Sequence, residues 1–214
     1  MTGLRRVRSF VRRARQPSPA ALASWARLWS LYGLASEDLA GIPRAGREVV
    51  LDIGFGDGEA LLALAALHPE RDYVGIEVYR AGLLKALRGI EERALTNVYL
   101  VEADALEVLP LLRTSSVSGV QVFFPDPWPK TRHHKRRLVG RAFLAEITRL
   151  LRPGGWLHIA TDWAAYADEV AALAEATPGL QRAPRTPWRP ATKFERRGLL
   201  LGQPARDLVY ARAP

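Results

Sequence analysis

Val49-Val50-Leu51-Asp52-Ile53-Gly54-Phe55-Gly56-Asp57-Gly58 reads as a short buried strand that breaks into a glycine-rich turn and then a helix. β-Branched and apolar residues fill Val49–Ile53, and glycines at 54, 56 and 58 permit backbone conformations closed to other residues. Downstream, short apolar strands alternate with amphipathic helices. Further strands are expected at Tyr73–Ile76, Val98–Val101, Val120–Phe124 and Trp156–Ala160, with helices at roughly 58–67, 79–93, 138–151 and 163–176. The stripe Phe143, Leu144, Ile147, Leu150, Leu151 suits a helix lying on a sheet, and Pro153-Gly154-Gly155 is expected to stop it. Such alternation implies an α/β fold, a doubly wound parallel sheet with helices on both faces.

Ligands in such sheets sit beyond the carboxyl ends of the strands, where strand order reverses. The residues just after each strand are therefore the candidates. Gly54, Gly56 and Gly58 let a ligand approach the backbone, and the next helix offers free N–H groups to a carboxylate. Asp52 is placed to bind an ammonium group, Glu77 to accept from ribose hydroxyls, and Asp104 to reach an adenine rim. The spacing G-x-G-x-G differs from the G-x-G-x-x-G of dinucleotide sites, which disfavours a nicotinamide oxidoreductase. S-Adenosyl-L-methionine has a carboxylate, an ammonium, a ribose and an adenine but no pyrophosphate, and matches this set of acids.

Composition narrows the partner. The 214 residues carry a formal net charge of +9 and no Cys. Disulfides and thiolate metal sites are excluded, and the four histidines form no metal-ligand spacing with carboxylates. No apolar run approaches the length of a membrane span. Before the first acidic residue, Glu37, lie Arg5, Arg6, Arg8, Arg12, Arg13, Arg15 and Arg27. This start is open to two readings, an organellar transit peptide or a basic arm that folds on RNA. Leu22, Trp25, Leu28 and Trp29 then share one helical face, and segment 177–190, with four prolines, reads as a loop leading to a C-terminal hairpin. The chain is accordingly divided into residues 1–47, arm and packing helix, and residues 48–214, the catalytic domain.

After the fourth strand comes Phe123-Phe124-Pro125-Asp126-Pro127-Trp128-Pro129-Lys130. Alternate prolines deny it a helix and make it stiff, which holds Asp126 and Trp128 in place. Lys130, Arg132, His133, His134, Lys135, Arg136, Arg137 and Arg141 follow, a basic run at the cleft mouth suited to RNA phosphates. A second Arg cluster, Arg185, Arg189, Arg196 and Arg197, is read the same way.

The run PDPWPKTRHHKRR resembles the signature of the tRNA (guanine-N7-)-methyltransferase family. Arg8–Arg13, LDIGFGDG, VGIEVY, LRPGGWLHIATDWAAYA around Asp162, and Arg189–Gly198 are similar to further family segments in the same order. The resemblance covers most of the chain, more weakly at 14–47 and 177–188. It implies a mostly parallel seven-stranded sheet, the Rossmann-like methyltransferase fold, with a basic N-terminal arm. It also implies S-adenosyl-L-methionine held by the Gly54–Gly58 loop, Asp52, Glu77, Asp104 and Asp126. Substrate contacts follow from Lys130, Asp162, Thr192, Lys193, Phe194 and Glu195, with Asp126 the catalytic residue. The chain departs from the family at Asp52, where Glu is common, and at Gly202-Gln203, where Gly-His is common.

The expected activity is methyl transfer to N7 of a guanine in the tRNA variable loop. A methyltransferase acting on another RNA and a non-catalytic tRNA-binding protein of the same fold are the alternatives. Neither a membrane nor a metal is expected as a partner. A monomer or homodimer in the cytoplasm, with the arm retained, completes the expectation.

Overall fold

Strand β1 (Glu48–Ile53) lies inside a seven-stranded sheet, between two other strands, and both of its faces are apolar. Val49, Leu51 and Ile53 enter the core on one side and Val50 the core on the other, as the two-residue period of a strand requires. The remaining strands are β2 (Arg71–Glu77), β3 (Val98–Glu102), β4 (Val117–Phe123), β5 (Leu151–Thr161), β6 (Leu180–Arg182) and β7 (Arg206–Arg212). They lie in the order β3-β2-β1-β4-β5-β7-β6, with β1 to β5 parallel and β7 antiparallel to β5 and β6. Strand order reverses between β1 and β4, so the carboxyl ends of these two strands frame a natural ligand crevice. The chain is seen in a computed structural model that describes residues 18–41, 46–184 and 186–214. The arm residues Arg5 to Arg15 and Arg185 lie outside them.

Helices α1 (Pro19–Tyr32), α2 (Glu59–Leu67) and α3 (Arg80–Glu92) cover one face. On the other lie α4 (Ala105–Val108), α5 (Arg141–Leu150) and α6 (Ala164–Glu175), and α7 (Lys193–Leu200) precedes the last strand. Phe143, Leu144, Ile147 and Leu150 of α5 are all buried, and each such side chain stabilises the fold by about 1.5–3 kcal/mol. In α1, Leu28 is buried and Trp25 stacks on Trp29 at 4.8 Å, but Leu22 in the first turn stays exposed.

Three expectations change in detail. Helix α5 ends at Leu150, and Leu151 already pairs with Val117, so Pro153-Gly154-Gly155 is not its stop. Those residues instead form a bulge in β5, where the register with β4 slips between Val117 and Gly119. The 177–190 segment contains β6, three residues long and too short to show a period. Its partner β7 is separated from it by α7, so the C-terminal strand pair is no simple hairpin.

Candidate active site

The turn after β1 is held by the strand beside it. Gly54 donates its N–H to Ile76 O at 2.8 Å, and Gly56 donates to Glu77 Oε2 at 2.9 Å. The other Glu77 oxygen, Oε1, accepts from Val78 N and Tyr79 N. Gly54 and Gly56 have φ of +72° and +61°, yet a Cβ at either would meet nothing within 4 Å. Backbone conformation rather than crowding therefore demands glycine there, and the open space is where a ligand can lie against the main chain.

Asp52 is 1% exposed, and its Oδ2 has no hydrogen-bond partner. Burial, followed by the nearby negative charge of Glu77, pushes its carboxyl up to about 8. A buried acceptor without a partner is costly, and a ligand ammonium would satisfy it. Asp104 caps α4, its Oδ1 accepting from Leu106 N at 3.0 Å.

The Phe124–Lys130 loop is stiffer than its prolines alone require. Phe124 and Trp128 adopt φ of +54° and +42°, a region most side chains avoid. Phe124 N still bonds Ala160 O of β5 at 2.7 Å, but its positive φ leaves the strand, so β4 ends at Phe123 instead of Phe124. From the far side, Arg137 Nε donates to Pro127 O at 2.8 Å. Its guanidinium also pairs with Glu169 and lies over the Tyr166 ring. The intervening 3₁₀ turn, Thr131–Arg136, folds back on Trp128, with the His133 ring edge-on at 5.7 Å and Arg136 at 5.0 Å.

Helix α7 closes the opposite side. Thr192 caps it, its hydroxyl accepting from Glu195 N. Lys193 Nζ reaches Asp57 Oδ2 at 2.5 Å, Lys193 N donates to Glu59 Oε2, and Arg196 pairs with Glu59. Burial raises the Asp57 carboxyl, but hydrogen bonds from Lys193 and Lys85 override this and hold it below the usual range. Phe194 stacks on Phe124 with centroids 6.3 Å apart.

One cleft of about 780 Å³ is lined by Asp52, Gly54, Gly56, Glu77, Asp104, Asp126, Thr192, Lys193 and Phe194. These nine are residues that the sequence singled out. Lys130, Asp162 and Glu195 do not line it. Lys130 is exposed outside, and Asp162 lies beneath α7, its Oδ2 3.1 Å from where a Cβ on Gly198 would stand. The Glu195 carboxylate is gripped by Arg189 through two hydrogen bonds. Two arginines read from sequence as phosphate contacts are buried: the side chains of Arg137 and Arg189 are only 4% and 6% exposed. Each is consumed by internal acceptors, so the exposed cations of that group are Lys130, Arg132, Lys135 and others. The ties from Asp57 and Glu59 to α7 were not foreseen, since they join residues more than 130 positions apart.

The cleft fits S-adenosyl-L-methionine. Asp52 has a buried oxygen without a partner, which an ammonium would satisfy, and the open glycine turn and the α2 N-terminus would suit a carboxylate. Glu77 lines the same cleft, as do Phe124, Asp126 and Trp128. The described residues contain no group of acids and histidines able to hold a metal, and no helix among them is long and apolar enough to cross a membrane.

A family profile described as "Putative methyltransferase" matches residues 46–208. The tRNA (guanine-N(7)-)-methyltransferase of Alkalilimnicola ehrlichii is 48% identical, covering 98% of this chain and 94% of the relative. That of Halorhodospira halophila is 43% identical over 100% of this chain and 98% of the relative. Among solved structures, the aminoglycoside resistance methyltransferase NpmB1 superposes with a TM-score of 0.59 over 84% of this chain and 94% of that one, at 24% identity. The 16S rRNA methyltransferase KamB does so with a TM-score of 0.55 over 95% and 97%, at 21% identity. Those two likenesses establish the fold. With the sequence relatives matched nearly end to end and the cleft built from the motif residues, the chain belongs to the tRNA (guanine-N7-)-methyltransferase family.

Proposed function

We propose that this chain transfers a methyl group from S-adenosyl-L-methionine to N7 of a guanine in the variable loop of tRNA. The observation that carries the reading is that the glycine turn, Asp126 and the Thr192–Phe194 segment line a single cleft. Cofactor-type and base-type residues, from segments about 140 positions apart, thereby face one space.

S-Adenosyl-L-methionine, when bound, supplies an electrophilic methyl carbon on a sulfonium leaving group. Asp52 holds its ammonium, Glu77 its ribose and Asp104 the adenine side of the cleft. Guanine N7 presents a lone pair and no proton, so the protein needs no general base. The protein's task is to align N7 with the carbon–sulfur axis and to exclude water. The bound cofactor would supply the methyl carbon to the N7 lone pair, with the carbon–sulfur bonding pair departing on sulfur. The purine becomes positive in the process. Asp126 accepts hydrogen bonds from its N1–H and exocyclic amine, and the Asp126 charge stabilises the developing cation. Thr192, Lys193 and Phe194 wall the base, and Lys130 with the exposed cations beside it holds the tRNA backbone.

The test is site mapping on unmodified tRNA transcripts. Replacing the variable-loop guanine by adenine should abolish methyl acceptance, while replacing guanines elsewhere should not. Undiminished acceptance by the variable-loop variant would move the target to another position.

A further inference from the structure

Arg189 is buried between two carboxylates. Nε and one NH₂ group donate to Asp207 Oδ1 and Oδ2 at 2.6 and 3.0 Å. Both NH₂ groups donate to Glu195 Oε2 and Oε1 at 2.6 and 3.1 Å. Asp207 in turn takes a 2.7 Å hydrogen bond with Nε2 of His158, whose ring meets Phe123 edge-on at 5.0 Å. The guanidinium also faces the rings of Phe123 and Phe124, at 5.7 and 5.4 Å. Three segments thus meet on one cation, β7, the first turn of α7 and the corner that leads into the Asp126 loop, and β5 is joined to it through Asp207.

We propose that Arg189 is a positioning residue, which through Glu195 and the Phe123–Phe124 rings sets α7 and the Asp126 loop at their working separation. The proposal rests on the methyl-transfer reading above and adds a residue to it. A planar fork satisfied on two sides fixes orientation as well as distance, which an ammonium cannot do. The other ties on α7 are weak by comparison. The pair Arg196–Glu59 is exposed and Lys193–Asp57 partly so, and solvent screens such pairs. Stability alone does not call for a buried cation here, since apolar residues commonly serve as well. Its position, under both walls of the cleft, is what an alignment-limited reaction requires. Glu195 in this arrangement is the far end of the clamp and acts on the base through α7.

The experiment compares wild type with Arg189→Lys, Glu195→Gln and the double variant. Single-turnover methyl transfer, cofactor affinity, tRNA affinity against salt, and thermal melting are measured on each. For Arg189→Lys, a fall in transfer rate on the order of 100-fold is expected, with both affinities within about threefold of wild type. Glu195→Gln should lose rate without lowering either affinity, and the double variant should be no slower than Arg189→Lys. A rate loss that multiplies in the double variant would give Glu195 an independent action and overturn the clamp. So would a loss confined to tRNA affinity with a salt slope lowered by about 0.7–0.9, the mark of a phosphate contact. If Arg189→Lys fails to fold, Asp207→Asn leaves the Arg189–Glu195 pair in place and is expected to slow transfer with unchanged affinities; full activity there would also overturn the proposal. Wild type without any transfer to tRNA would defeat the functional reading itself, and the variants could not produce that result.

Discussion

Glu77 Oε2 accepts the backbone N–H of Gly56 at 2.9 Å, so the acid that ends β2 braces the turn that ends β1. Its other oxygen is taken by two further backbone N–H groups. The carboxylate is thus the strut of the turn, and in the proposed function it also accepts from the ribose. Hydrogen bonds to a charged group contribute about 1.5–3 kcal/mol each. Glu77→Gln is therefore expected to weaken binding of S-adenosylhomocysteine by about 10- to 100-fold in calorimetry, with the fold retained. A change below threefold would separate the turn from cofactor binding.

Asp52 gives the site a pH dependence whose sign is fixed. Its folded-state carboxyl, at about 8, lies above its ordinary value of 3.8, so the native protein without ligand holds that proton more tightly than the unfolded chain. Stability of the unliganded protein should decline as pH rises from 4 to 8 and level off above. Cofactor binding needs the carboxylate charged and should tighten over the upper part of that window, by at most about tenfold per pH unit. Titration calorimetry from pH 6 to 9 checks this. A flat affinity profile in wild type, or a pH slope unchanged in Asp52→Asn, would remove Asp52 as the ammonium's partner.

Asp126 lines the cleft without lying deep in it. Asp126→Asn keeps size and shape but removes the charge opposite the forming cation. Turnover should fall by about 100-fold, in the range for loss of one preorganised electrostatic contact, while cofactor affinity changes by only a few-fold. Retained turnover would exclude Asp126 from the chemistry.

Arg137 and Lys130, near neighbours in one basic run, should behave in opposite ways. Arg137 is buried, and its partner Glu169 is 40% exposed, so Arg137→Ala strands no buried charge. It leaves the Pro127 carbonyl unsatisfied and unpacks Tyr166, a cost of about 2 kcal/mol visible in the melting temperature. Lys130→Ala should leave melting unchanged and lower the slope of log tRNA affinity against log salt by about 0.7–0.9. Equal salt slopes for wild type and Lys130→Ala would take Lys130 off the tRNA backbone.

The sheet was legible because its signal is local. Val49, Leu51 and Ile53 alternate with Val50 in a run bounded by glycines, and that pattern follows from strand geometry alone. Most of the cleft was legible for the same reason, since parallel strands deliver whatever follows them to one edge. What stayed hidden depends on distant partners. Arg137 and Arg189 look like the other arginines in sequence, and only the placement of Glu169, Glu195 and Asp207 reveals them as buried struts. Likewise nothing in the side chains of Phe124 or Trp128 signals a positive φ, and the loop's anchors, Ala160 O on one side and Arg137 on the other, come from distant segments.

The most direct test is transfer of labelled methyl from S-adenosyl-L-methionine to unmodified tRNA, followed by nucleoside identification. N7-Methylguanosine as the labelled product is the result expected, because guanine N7 carries a lone pair and no proton and the cleft's acids suit a developing cation. A different methylated nucleoside, or tRNA bound without transfer, would contradict the account.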